Sequence, residues 1–334
     1  LIEKLKTKIR KVKDSDRGNL PIVSYSKLNL FEQCKFKYKL QYIEKNFSDV
    51  SAIHLDLGNL IHKVLEIKGR WIIENASIDY EELKNIIYEG IEEITDKGSE
   101  RIIGVKEIKR KYFEEWYEPD NKSGMNYEEK IDLFIKKVLP VAMLNGDDWR
   151  PISTEQRFEF VYDNRVIIHG FIDRVDIGTS EALRVVDYKT SKSVFNESMT
   201  KTPLQMIVYA LACVSLYERI PEEYLYSFVL INKEQLVCSK GYMNRGIKKL
   251  NKLLDQMMEL EKTSEYAPSP TPLCYWCTFA SHTPNGDPKY KNLCPYYSLW
   301  KPDKRTFEVN MPYDRTDNSQ NNMNKTGANR KLVF

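Results

Sequence analysis

The chain has 334 residues, of which 30% are charged and 42% hydrophobic, with a mean hydropathy of -0.53. That composition suits one sizeable or two modest buried cores. It excludes a chain built from membrane-spanning helices, because no run approaches the roughly 18 apolar residues such a helix needs, while a net charge of +3 neither demands nor forbids a nucleic-acid partner.

In chain order, the first segment crowds Lys4, Lys6, Lys8, Arg10, Lys11 and Lys13 at one end. Lysines interleaved with apolar residues leave no central apolar block, so residues 1–20 read as a basic amphipathic arm and not as a signal peptide. The stretch PIVSYSKLNLFEQCKFKYKLQYIEK offers Ser26 as a helix cap, followed by a helical period that turns Leu30, Cys34 and Lys37 toward one face. A second helix is expected over LGNLIHKVLEIKGRWII. Residues 80–144 are charged and helical in pattern, with turn signals at 120–124 and, just beyond, at 145–148.

The pattern then changes. TEQRFEFVYDNRVIIHGFIDRVDIGTSEALRVVDYKT predicts three strands, joined by turns at Asp163-Asn164 and at residues 178–181. A helix follows from Thr202, with Pro203 suited to its first turn, then a strand in YLYSFVLINK and an amphipathic helix through IKKLNKLLDQMMELEK. Pro268, Pro270 and Pro272 lead into a cysteine-bearing segment, and the polar, Asn-rich tail from Asp314 predicts disorder.

Six cysteines in a chain without secretory features suggest metal ligands or buried thiols before disulfides. Cys213, in an apolar helical run, and Cys238, in a strand-like one, read as core thiols. Cys274 and Cys277 form a C-x2-C pair, with Cys294 downstream and Cys34 far upstream. Such pairs favour metals.

The chemistry concentrates in VVDYKT. Two residues apart at the end of a buried strand, Asp187 and Lys189 project to the same side. Alone, that pair is equally an ordinary surface ion pair of little energetic weight. Asp173, in GFIDRVD on the preceding strand, changes the weighting, because a hairpin can set it opposite Asp187. Facing antiparallel positions bring side chains to roughly 5 Å, close enough for two carboxylates to share a cation. Without one, the pair repels and one member takes up a proton. Hard oxygen ligands suit Mg2+ or Mn2+.

GFIDRVD, VVDYKT and LQMIVYALA, in this order and spacing, closely resemble the PD-(D/E)XK nucleases of the RecB and AddB type. The resemblance implies an α/β fold with a restriction-endonuclease-like core, in which a central mixed β-sheet is flanked by helices. An N-terminal helical region and a C-terminal Cys-rich metal-binding segment would complete it. It implies that Asp173 and Asp187 bind Mg2+ or Mn2+ together with His62 of a Gly58-x3-His62 motif and the Tyr188 carbonyl. Lys189 would polarise the attacking water or the phosphate, and Gln205 and Tyr209 of a Gln-x3-Tyr helix would abut the site. A glutamate ahead of the second strand is also implied, Glu155 first and Glu159 second. His54, His169 and His282 are left as structural or surface residues.

Members of this class, including CRISPR adaptation nucleases, carry a 4Fe-4S cluster on one cysteine before the core and three after it. That maps the cluster onto Cys34, in SYSKLNLFEQC, and onto Cys274, Cys277 and Cys294. The last gap is wider than the family's compact spacing, which keeps tetrahedral Zn2+ open as the rival. The domains expected are the arm at 1–20, a helical region at 21–150, the nuclease core at 151–265, the cluster segment at 266–313 and the tail at 314–334.

The function implied is a metal-dependent exonuclease acting on single-stranded DNA or DNA ends, in recombination, repair or phage DNA metabolism. A structure-specific endonuclease and a non-catalytic DNA-binding component of a repair complex are the alternatives. Lysines and aromatics interleave in CKFKYKLQYIEK and KRKYFEEWYE, as in single-strand grooves, although lysine stems covering apolar helix faces give the same pattern. No Walker A pattern occurs in the sequence, so unwinding is expected from a helicase or recombination partner. No membrane association is expected, and the location expected is cytoplasmic, bacterial or phage-encoded, or otherwise intracellular.

Overall fold

The computed structural model describes residues 1–47, 52–94, 100–140, 149–196, 200, 203–237, 242–271, 274, 277–280, 289–290, 293–294, 300–301 and 306–307. Its main strands are β1 (Ile9–Arg10), β2 (Ile22–Val23), β3 (Ile91–Ile94), β4 (Glu100–Ile103), β5 (Trp149–Tyr162), β6 (Val166–Gly178), β7 (Leu183–Lys189), β8 (Glu223–Phe228) and β9 (Lys233–Leu236). Among the described residues, one mixed sheet runs in the order β1-β5-β6-β7-β8-β9, with β2 added to β6. The expected α/β architecture, a central mixed sheet flanked by helices, is the one observed.

The three predicted strands form as an antiparallel meander, β5 to β6 to β7. Asp163 and Asn164 make the first turn with φ of 54° and 53°, the doubly left-handed turn that matches strand twist and that Asn and Asp tolerate. Helix Leu204–Tyr217 then carries the chain over to β8, which lies parallel to β7, as a crossover must. This helix is buried nearly all round, including Cys213, as expected of its continuous apolar run.

The long helix Ile53–Ile73 buries Ile53, Leu57, Leu60, Ile61, Val64 and Leu65 in the main core. They pack with Leu83 and Ile87 of helix Tyr80–Glu89, with Trp116 and Phe134, and with Val186 and Tyr188 of β7. Each such side chain, fully buried, stabilises by roughly 1.5–3 kcal/mol. Within this helical region, Lys130 and Asp120 form an ion pair whose side chains are 2% and 3% exposed. The carboxylate also accepts the Lys122 and Ser123 amides at 2.9 and 2.8 Å. Removing one charge strands the other in the core, so Asp120→Ala should destabilise by about 3–5 kcal/mol. Urea unfolding checks this, and a loss under about 1 kcal/mol would show the pair to be solvated.

Local differences from the sequence expectations have identifiable causes. Ser24, rather than Ser26, accepts the Lys27 amide at the start of helix Tyr25–Gln33. That helix breaks at Cys34, which takes an extended conformation (φ -159°, ψ 110°) and caps the short helix Lys35–Tyr38. The basic arm is not simply a solvated element: Leu5 is buried, and Ile9 and Arg10 pair with Tyr162 and Val161 at the edge of β5. Inside the stretch expected to be helical, β3 and β4 pair as a hairpin, with Ile91 facing Ile103. YLYSFVLINK is not one strand, because β8 ends at Phe228 and β9 opens at Lys233. Cys238, His282, the 145–148 turn and the tail from Asp314 lie outside the described residues.

By compactness the chain divides into Leu1–Leu28 with Ser51–Asp255, and Asn29–Val50 with Gln256–Phe334. The first unit holds the sheet. In the second, Leu40, Phe279 and Tyr290 form a small core against Phe36, Cys277 and Cys294.

Candidate active site

The sheet opens where the acids sit. The ladder between β6 and β7 ends at Arg174 facing Val186. One further step of that register would bring Asp173 opposite Asp187, but there the Tyr188 amide donates to Asp173 Oδ2 at 2.7 Å. On the other side, Thr154–Arg174 and Gln156–Ile172 are paired, which leaves Glu155 facing Asp173. Glu155 takes a φ of 43°, a left-handed kink within β5. A non-glycine residue in that region is strained, and such strain concentrates at functional positions.

His62 reaches the same place from helix Ile53–Ile73. Its Nδ1 lies 3.6 Å from Asp173 Oδ2 and 3.8 Å from Glu155 Oε1, and its ring stands edge-on to that of Tyr188 at 6.0 Å. Gly58 explains the approach, since a Cβ there would stand 3.3 Å from Thr190 Oγ1, just past the end of β7. Among the described residues, His62, Glu155 and Asp173 are the group whose ligand atoms all lie within 4.8 Å of one another. Glu159, the second choice from sequence, is not brought there; its carboxylate pairs with Arg17 at 2.5 Å.

Asp187 and Lys189 stand beside this group as a direct ion pair. Helix Leu204–Tyr217 closes a ring around them. Lys189 Nζ donates to Gln205 Oε1 at 2.9 Å, Gln205 Nε2 to the Tyr209 hydroxyl at 3.0 Å, and that hydroxyl to Asp187 Oδ1 at 3.2 Å. Gln205 and Tyr209, one turn apart on one helix face, thus fix both members of the pair.

The electrostatics of the group suit a cation. Burial, and next the Asp187 charge, push the Asp173 carboxyl well above the usual carboxylate range. Burial opposes a charge on His62, but the Glu155 contact and the Asp173 and Asp187 charges outweigh it and take the imidazole up to about 9. Buried Asp187 Oδ2 has no hydrogen-bond partner, its ion pair with Lys189 apart. Carboxylate oxygens with one imidazole suit Mg2+ or Mn2+, and a cation among them would relieve the crowding that drives Asp173 toward protonation. The Tyr188 carbonyl shares the edge of its amide, because in a strand both groups of one residue point to the same neighbour.

Two residues within GFIDRVD, to which sequence reasoning assigns no role, matter for the geometry. Arg174 donates to the Tyr188 hydroxyl at 3.2 Å and to Asp176 Oδ2 at 2.9 Å, and Arg184 also donates to Asp176 Oδ2 at 2.9 Å. All are buried. This network holds the Tyr188 side chain, and with it the backbone that ties Asp173. A signal exists in the sequence: charges inside a strand otherwise made of buried residues need partners.

The cysteines form a separate site in the second unit. Cys34 Sγ accepts the Lys37 amide and Cys274 Sγ the Thr271 amide, each at 3.4 Å. With Cys277 and Cys294 they line a cavity of about 60 Å³, several times the space of one water by the same measure. The wide gap before Cys294 is bridged by its amide, which donates to the Phe279 carbonyl at 3.0 Å. Among the described residues, no three of these sulfurs lie within 4.8 Å of one another. Sulfurs about 2.3 Å from one tetrahedral zinc would stand only ~3.8 Å apart. Four thiols lining one cavity suit a thiolate-ligated group.

Acids on adjacent strands where the β6–β7 ladder stops, a lysine two residues on and a histidine from a neighbouring helix define a restriction-endonuclease-like α/β protein. The chain belongs to the PD-(D/E)XK nuclease superfamily, whose profile matches residues 22–282. It is similar to an ATP-dependent helicase/deoxyribonuclease subunit of Streptococcus agalactiae serotype Ia, with 30% identity over 177 residues, 52% of this chain and 14% of that protein. The same-named protein of Streptococcus uberis is 25% identical over 198 residues, 58% of this chain and 16% of that protein. That of Streptococcus pyogenes serotype M18 is 26% identical over 178 residues, 52% and 14% of the two chains. The matches thus cover about a seventh of the length of these curated relatives. Among the described residues, no helix is long and apolar enough to cross a membrane.

Proposed function

We propose that this chain is a divalent-metal-dependent deoxyribonuclease, acting as an exonuclease on single-stranded DNA or DNA ends during recombination, repair or phage DNA metabolism. The observation that carries the proposal is the meeting of His62, Glu155 and Asp173 beside the Asp187–Lys189 pair. His62, Asp173, Asp187 and the Tyr188 carbonyl would hold Mg2+ or Mn2+, with Glu155 as a further ligand. The bound cation supplies an acidified water and neutralises charge on the phosphate. Lys189 holds that water or a phosphate oxygen. Gln205 and Tyr209 are positioning residues, acting through Lys189 and Asp187.

A positioning role predicts a graded loss. Gln205→Ala and Tyr209→Phe should each lower the cleavage rate or the metal affinity by about 10–100-fold. Rates within twofold of wild type, with unchanged Mn2+ affinity, would remove the ring from the mechanism.

Cys34, Cys274, Cys277 and Cys294 would hold a 4Fe-4S cluster as a structural clamp within their unit. The working domains are 21–150, with the first cluster cysteine and the Gly-x3-His motif, the catalytic core at 151–265, the cluster segment at 266–313 and the tail at 314–334, with the arm at 1–20. The likeness to helicase/deoxyribonuclease subunits supports DNA as the substrate, a helicase-type or recombination partner and an intracellular place of action.

The test is a cleavage assay on end-labelled and circular DNA, single-stranded and duplex, with Mg2+ or Mn2+. Linear single strands should shorten from their ends while circles survive. Cutting of circles would give the endonuclease alternative, and no cutting with retained binding would give the non-catalytic component of a repair complex.

A further inference from the structure

Along the edge of β6 that faces away from β5, β2 pairs at Ile167 and Ile168, and β7 pairs from Arg174 onward. Between them, residues 169–173 carry no strand partner on that edge among the described residues. The gap holds Asp173 at one end and runs away from it past Phe171 and His169. Phe171 is 53% exposed, a large apolar ring in the middle of a sheet that the described residues leave open. Facing it across the ladder is Arg157, also exposed, which makes no ion pair among the described residues. At the next rung, His169 faces Glu159, whose charge Arg17 already neutralises. The rung of Arg157 and Phe171 lies two residues from that of Glu155 and Asp173, about 7 Å along the strands.

An exposed aromatic ring and an uncommitted guanidinium, side by side and one step from the cation site, form a receptor for a group that is flat at one end and anionic at the other. We propose that Arg157 and Phe171 form a nucleotide subsite next to the cleavage position, where an unpaired base stacks on the Phe171 ring and its phosphate pairs with Arg157. This rests on the nuclease reading and specifies it: the nucleotide adjoining the cut is single-stranded, because a base inside a duplex is stacked on both faces and has none free for the ring. Stacking on an aromatic side chain tolerates any base, so the subsite selects strandedness and not sequence.

The test is fluorescence anisotropy with a labelled single-stranded oligothymidylate, and a closed circular duplex as competitor, in Ca2+ to suppress cleavage, on the full chain. Phe171→Ala should weaken single-strand binding by about tenfold, with Phe171→Trp restoring it, and leave duplex binding within about twofold. Arg157→Ala should weaken it too and reduce the salt dependence by about one phosphate contact. Both side chains are exposed, so the melting temperature should not move. Wild-type binding with both variants unchanged would overturn the subsite and leave the nuclease reading standing. Equal losses on duplex and single strand would overturn the commitment to an unpaired base. A wild-type protein that neither binds nor cuts DNA would remove the nuclease reading and the subsite together.

Discussion

Asp173→Ala, Asp187→Ala and Lys189→Ala should each take DNA cleavage to the floor of the assay, a loss of at least ~1000-fold. The size follows from the arrangement. The two acids flank one position and Lys189 is locked beside it by Asp187 and Gln205, so no neighbour can substitute for any of the three. A fold effect is separable from a chemical one, because crowded, buried carboxyls cost stability. Asp173→Asn keeps an acceptor for the Tyr188 amide while removing the charge that burial and Asp187 oppose. It should therefore be inactive yet melt at or about 1–3 °C above the wild type without metal, the stability–activity trade of a strained site. Full activity in any alanine variant, assayed with Mg2+ and Mn2+, would take that residue out of the site. Metal binding should carry a proton signature. With His62 taken up to about 9, the metal-free site holds a proton that a cation must expel. Mn2+ affinity, measured by calorimetry, should then rise by up to about tenfold per pH unit from about pH 6 to 8. A flat profile would mean that His62 is not a ligand.

What can be read from sequence is set by local signals. Asp163-Asn164 demands a left-handed turn, and the alternating residues around it demand strands, so the meander carrying Asp173 and Asp187 is legible. The choice of Glu155 over Glu159 comes from the family resemblance; its physical basis, a kink at Glu155 opposite Asp173 and an Arg17 partner for Glu159, depends on packing between distant segments. The β3–β4 hairpin is missed because IEEI and ERII are charged, helix-compatible segments, although Asp96, Gly98 and Ser99 between them carry a turn signal. The break at Cys34 escapes for a related reason: the sequence keeps its helical period across the break. Arg174 and Asp176 stand in plain view, yet whether a strand charge is buried depends on what covers the sheet, which periodicity does not report.

The four cysteines carry the second large expectation. Protein purified without oxygen should be brown, absorb near ~400 nm and hold about four irons per chain. Cys34→Ser or Cys274→Ser should bleach it and lower the stability of the unit that contains them. The geometric reason lies in the four cysteines, which line one cavity. Burial pushes the Cys274 and Cys277 thiols up, and beside them, among the described residues, Leu40, Phe279 and Tyr290 form a small core against Phe36. Clamping Cys34 to Cys274 closes a loop long enough for cross-linking to stabilise by on the order of 5.5 kcal/mol on chain entropy alone. The amide donors at Cys34 and Cys274 would then hydrogen-bond to thiolates, which favours the reduced state of whatever those sulfurs hold. A colourless protein with one zinc per chain would reject the cluster, and an unchanged melting curve in Cys34→Ser would reject the staple whatever metal is found.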